Sequence, residues 1–176
     1  MSILETKKLV KERGWGGPGK AVISFTSTVN GYHHFKKRPF QGSQFLMQCR
    51  PEMGNKYDKA ATLVVAPKLD VVAPELHDKE TRAASTSGRD RQQTVREICG
   101  HPVGRVPKGL SAVVRFAINN GWGAYCWYLG TMTHDGPVRG GGPKLNECYV
   151  MVGERRMADE IVRQIRRNGG RDINVL

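Results

Sequence analysis

"MGNKYDKAATLVV", residues 53–65, begins as a turn and ends as a strand. Asn55 and Asp58 carry short polar side chains that bond nearby backbone groups, and they flank Tyr57 where the chain reverses. Residues 62–65 are β-branched or apolar throughout, the composition of a buried strand, and the strand is expected over 60–66. Working outward, "AVISFTSTVNGYHHF" (21–35) predicts a strand with a bend near Asn30-Gly31, and "SQFLMQCR" (43–50) a second. Downstream, residues 101–106 look extended. Leu110, Val113, Val114 and Ala117 then fall at i, i+3, i+4 and i+7, the buried stripe of a helix over 109–120. Two more strands, 122–133 and 146–152, are joined by the glycine-rich "HDGPVRGGGPKL". The fold class expected is mainly β with α: a small, partly open OB-like or SH3-like β-barrel. It has five to six mostly antiparallel strands and one or two packed helices.

Three stretches fall outside that barrel, which spans 21–152. Residues 1–20 open with a Ser2-x-x-Glu5 capping pattern and a short amphipathic helix, followed by the flexible joint "GWGGPG". Residues 67–98 mix Pro, Ser, Gly and balanced charge, and read as an insertion with a short helix at 89–98. Residues 153–176 hold a basic amphipathic helix, with Met157, Ile161 and Ile165 four apart, and a tail.

The chain carries 28 Lys and Arg against 16 Asp and Glu, so polyanions are the first partners to consider. Residues 66–98 carry 6 basic and 6 acidic groups, whereas residues 31–65 carry 6 and 2. The excess lies on segments that also look folded. Cys49, Cys99, Cys126 and Cys148 contain no C-x-x-C pair, so reduced thiols are expected. No apolar run approaches a membrane span and no secretory leader is visible; the expectation is an intracellular, nuclear monomer away from membranes.

Several motifs fail on context. "GWGGPGKA" (14–21) nearly spells a phosphate loop, but Ala21 replaces the hydroxyl residue, and a strand rather than a helix follows. His33 and His34, adjacent on an expected strand, would face opposite ways and cannot share a metal. No nucleophile elbow, H-E-x-x-H or spaced carboxylate pair occurs, and Asp135 after His134 reads as a turn. Neither catalysis nor a cofactor is expected.

The order "NGYHHF", "NKYDKAA", "VGRVPK" and an amphipathic helix resembles the HIRAN domain over roughly residues 22–152, interrupted by the insertion. The resemblance implies an oligonucleotide-binding type of barrel and, as in family members attached to DNA-remodelling ATPases, capture of the 3′ end of single-stranded DNA. It also implies that Asn55, Tyr57, Asp58 and Lys108 contact nucleic acid. Where the family has an Arg-Tyr pair this chain has His33 and His34, and Arg105 stands in place of a histidine. A separate helicase or repair protein would be the partner, since no motor motif is present.

The residue chemistry fits such a role. Tyr57 offers a ring for stacking, Asn55 an amide for a base edge, and Arg105 and Lys108 cations for phosphate. Asp58, repelled by phosphates, can accept a hydrogen bond from a terminal sugar hydroxyl. The alternative for Asn55 and Asp58 is turn-making alone. In that case the chain would be a non-catalytic protein-interaction adaptor using 67–98 or the C-terminal helix. Charge-driven binding of duplex DNA or RNA is a third reading.

Overall fold

The computed structural model describes residues 2–81, 92–133 and 143–176. Its centre is a three-strand antiparallel ribbon. β1 (Lys20–Val29) pairs along its whole length with β6 (Lys144–Glu154), and β6 pairs with β5 (Gly123–Thr133). From β5 the sheet continues through β2 (Met47–Pro51) and β3 (Thr62–Val65) to β4 (Pro102–Arg105). On its other side β7 (Arg171–Val175) adds to β1. All these pairings are antiparallel, and the sheet has seven strands in the order β4-β3-β2-β5-β6-β1-β7. The ladder is not closed. Asn30, just past β1, nevertheless exchanges both backbone hydrogen bonds with Arg105 of β4, each 2.9 Å long. The far edge thus curls back to the first strand at one point. A Cβ at Gly104 would overlap the Asn30 carbonyl and the Val29 side chain, so this approach requires glycine.

The inner face carries Ile23, Phe25, Val64, Cys126, Tyr149 and Met151, all at or near zero exposure, and Phe25 stacks on Tyr149 with ring centroids 5.0 Å apart. Two helices cover this face. α4 (Lys108–Asn119) buries Leu110, Val113, Val114 and Ala117, the stripe its sequence spacing marks out. α5 (Ala158–Arg167) buries Ile161 and Ile165 and contacts α4. Each such aliphatic side chain withdrawn from water contributes about 1.5–3 kcal/mol before the ordering entropy is subtracted. The outer face is also covered in part. α1 (Ser2–Arg13) lays Leu9 against Val22, Trp127 and Val150, and Trp15 stacks on Tyr125 at 5.0 Å. That second layer explains why β1 is buried on both faces rather than alternating.

The observed elements differ from the expected ones in four places. Strand count is seven, because residues 171–175 return to pair with β1. The expected first strand stops at Val29: Gly31 adopts φ 88°, and Tyr32–Phe35 form a helical turn, α2, so His33 and His34 do not alternate across a sheet. The described parts of 67–98 are built into the protein. A 3-10 turn (Leu69–Val71) and another (Pro74–Leu76) lead to α3 (Val95–Ile98), and Val72, Leu76, Val95 and Ile98 join the core. α3 begins with a capping box between Thr94 and Glu97. The second expected strand begins at Met47 rather than 43. The turn at His134 and Asp135 lies outside the described residues.

Candidate functional site

Between β2 and β3 the chain makes a loop, residues 52–61, that closes on itself: the Glu52 N–H donates to the Ala61 carbonyl at 2.8 Å. Inside it Asn55 Oδ1 accepts the backbone N–H groups of Tyr57 and Asp58, both at 3.0 Å. Asp58 Oδ1 accepts the Ala60 N–H at 2.9 Å. Both side chains therefore build successive turns, which is the structural role weighed for them from sequence. Asn55 has a further task. Its amide donates to Glu52 Oε2 at 3.0 Å, and Glu52 receives a bidentate pair from Arg105, Nε at 2.7 Å and Nη2 at 2.6 Å.

The Arg105–Glu52 pair bolts the loop to β4. The Arg105 hydrogen bonds hold the Glu52 carboxyl below the usual carboxylate range, against the opposing effect of its burial, with the Asn55 amide adding to the same side. On its other side the Arg105 guanidinium lies 5.2 Å over the Phe35 ring, a cation–π contact that joins α2 to the same assembly. His34, exposed and edge-on to Phe35, is close enough that its charge also favours ionised Glu52. The His33 side chain lies outside what is described.

From below, α4 supports the loop. Ser111 Oγ donates to the Ala60 carbonyl at 2.7 Å and Arg115 Nη1 to the Ala61 carbonyl at 3.4 Å. Lys108, three residues before Ser111 and so on the same side of the helix, is exposed at the first position of α4. No side chain caps that helix start and no acidic residue occupies its first turn, so its N–H groups and Lys108 together favour an anion.

The seven residues selected from sequence thus divide by position. Tyr57 is 98% exposed and projects from the loop, with exposed Lys56 and Lys59 beside it. Asp58 is half-buried, and its Oδ2 takes no hydrogen bond among the described residues. Lys108 and His34 stand at the periphery. Asn55 and Arg105 are committed to Glu52 and to the turn, so they act beneath the surface rather than as a free base-edge amide and a free phosphate cation. The hub itself, Glu52, was missed by sequence reasoning, as were Phe35 and Ser111. Glu52 and Asp58 are the two acids of residues 31–65, and that scarcity was the available signal. Among the described residues no group of three or more His, Cys, Asp or Glu side chains is placed to hold a metal ion. No described helix is long and apolar enough to cross a membrane.

No protein-family model matches the chain, and no curated protein does. Among solved structures, the crystal structure of the HIRAN domain of human HLTF is similar at a TM-score of 0.49 and 14% identity, covering 88% of this chain and 98% of that one.

Proposed function

We propose that the protein is a single-stranded nucleic-acid-binding module that recognises the free 3′ end of single-stranded DNA. The observation that carries this reading is Tyr57, an aromatic ring left 98% exposed on a loop that is otherwise locked by the Glu52, Asn55 and Arg105 network. A solvent-facing ring amid cations is a stacking platform for a base, and stacking of this kind contributes about 1–3 kcal/mol. Lys56, Lys59 and Lys108 supply phosphate attraction that weakens with salt. The free Oδ2 of Asp58 would accept the hydrogen bond of a terminal sugar hydroxyl and repel a terminal phosphate. Asn55, Arg105 and Glu52 are positioning residues in this scheme. It involves no catalytic step; a helicase or repair protein, in the nucleus, is the partner that would use such a strand-end binder, which itself acts as a monomer.

Fluorescence anisotropy with matched 3′-hydroxyl and 3′-phosphate oligonucleotides tests it. Wild type should prefer the hydroxyl end. Asp58→Asn keeps an acceptor for the Ala60 N–H and should abolish that preference. Tyr57→Ala should weaken both ligands by roughly 5- to 150-fold. Equal binding of the two oligonucleotides by wild type would refute end recognition, and an unaffected Tyr57→Ala would refute the site.

A further inference from the structure

A second anion-seeking feature lies on the outer face of the sheet, built from four separate parts of the chain. β2 and β5 share only two residue pairs, Met47 with Cys126 and Gln48 with Tyr125, and the sheet surface beside this short ladder forms an open cleft of ≈ 230 Å³. Arg13 from the end of α1, Arg50 from β2 and Lys68 from the segment after β3 line it, together with Gln48, Tyr125 and Leu46. All three cations are exposed, and none has a carboxylate partner among the described residues. Asp70 sits nearby in sequence but does not line the cleft. Four other arginines are ion-paired: Arg105 with Glu52, Arg96 with Asp78, Arg156 with Glu154, Arg163 with Glu160. Three uncompensated cations at one concavity repel one another, and an anion seated among them relieves that repulsion.

The wall beside the cations carries an aromatic ring and aliphatic side chains. Tyr125 is stacked on Trp15, interplanar angle 21°, and Leu46 continues the surface. Arg50 Nε donates to Gln48 Oε1 at 2.9 Å, which leaves its terminal nitrogens pointing to no described acceptor. A bare inorganic anion would use the cations and waste the wall. Ala66, Pro67, Val71 and Val72 extend the apolar lining, but the cleft is open and three cations stand on its rim, unlike the deep, uncharged slot an acyl chain needs. The combination suits a ligand with one planar ring and one phosphate.

We propose that this cleft binds a nucleoside phosphate, its base against Tyr125 and Leu46 and its phosphate held by Arg13, Arg50 and Lys68. The site does not depend on the Tyr57 reading. The ligand is either a free mononucleotide or one nucleotide of a longer strand, and the experiment separates these sources.

Trp15 provides the signal, because it stacks on cleft-lining Tyr125, whereas neither Trp122 nor Trp127 lines the cleft. Intrinsic tryptophan fluorescence of the full chain is titrated with AMP, with a 12-mer of deoxythymidylate, and with inorganic phosphate. Each is repeated on Arg50→Ala/Lys68→Ala and on Tyr57→Ala, and thermal midpoints are compared to confirm folding. A saturable AMP response, weakened at least tenfold in the double variant and unchanged in Tyr57→Ala, supports a free nucleotide. A response to the 12-mer but not to AMP, weakened likewise in the double variant, supports the strand as the source. Inorganic phosphate competing as well as AMP would overturn the role of the base. A change below twofold in the double variant for both nucleotide ligands would overturn the site, while leaving the Tyr57 reading to its own test.

Discussion

Replacing Glu52 by glutamine keeps the length of the side chain and removes its charge. In the native protein that charge accepts two hydrogen bonds from Arg105 and one from Asn55. Glutamine can still accept at one oxygen, but its amide nitrogen faces a guanidinium, so a donor meets a donor. Hydrogen bonds to charged groups contribute about 1.5–3 kcal/mol, yet the Arg105 side chain is 37% exposed and solvent screens part of this. A loss of about 1–2 kcal/mol follows, or roughly 3–6 °C in Tm for a chain of this length. The pH dependence identifies the charge as the cause. Glu52 has a folded pKa below its ordinary value of 4.5, so its stabilisation is fully present above that value and is lost as pH falls through the folded one. Thermal unfolding of wild type and Glu52→Gln, followed by circular dichroism from pH 7 down to about pH 3, should show a gap that is constant near neutrality and closes at acid pH. Hydrogen exchange at the Tyr57 and Asp58 amides should quicken in the variant. A gap of the same size at both ends of the pH range would refute the ion pair as the clamp on this loop.

Two further outcomes follow from the core. Gly104→Ala should destabilise by about 2–3 kcal/mol despite the chain-entropy gain that alanine normally brings, because its methyl overlaps the Asn30 carbonyl; an unchanged denaturant midpoint would contradict the tight β1–β4 approach. Glu147 is fully buried and both carboxylate oxygens lack partners among the described residues, and burial raises its pKa well above 4.5, with neighbouring Cys49 adding to the rise. The unfolded chain therefore holds fewer protons there than the folded one above pH 4.5, and wild-type stability falls as pH rises through that window. Glu147→Met should remove this slope and stabilise by about 1–3 kcal/mol at neutral pH, measured by urea unfolding at several pH values.

What the sequence disclosed followed from how regularly each segment meets water. α4 was legible because four apolar residues sit on one stripe, and β3, β5 and β6 because their apolar content is continuous. Residues 32–35 were misread since Tyr and Phe are favoured in strands, while Gly31 at φ 88° turns the chain before they can extend. β7, "RDINV", is largely exposed on the sheet edge, so no burial pattern marks it. Val72, Leu76, Val95 and Ile98 enter the core from turns and one helical turn, without a period that a linear reading detects. At the candidate site, the prominence of Tyr57 and the turn chemistry of Asn55 and Asp58 were readable locally. The partnership of Glu52 with Arg105 was not, because 53 residues separate them and only the β3–β4 pairing brings them together.

The two-residue ladder between β2 and β5 has a mechanical meaning. It divides the sheet into a block of β5, β6, β1 and β7 and a smaller flap of β2, β3 and β4, joined by two residue pairs, the Asn30–Arg105 bridge and the Gln41–Tyr128 bridge just before β2. Fully buried Phe45 and Met47, and α4, which packs on both β3 and β5, add side-chain contacts across that joint. Shaving Met47 would therefore let the flap swing while the block keeps its ladders intact. The Tyr57 loop rides on the flap, so its orientation to the block depends in part on how well Met47 fills that seam.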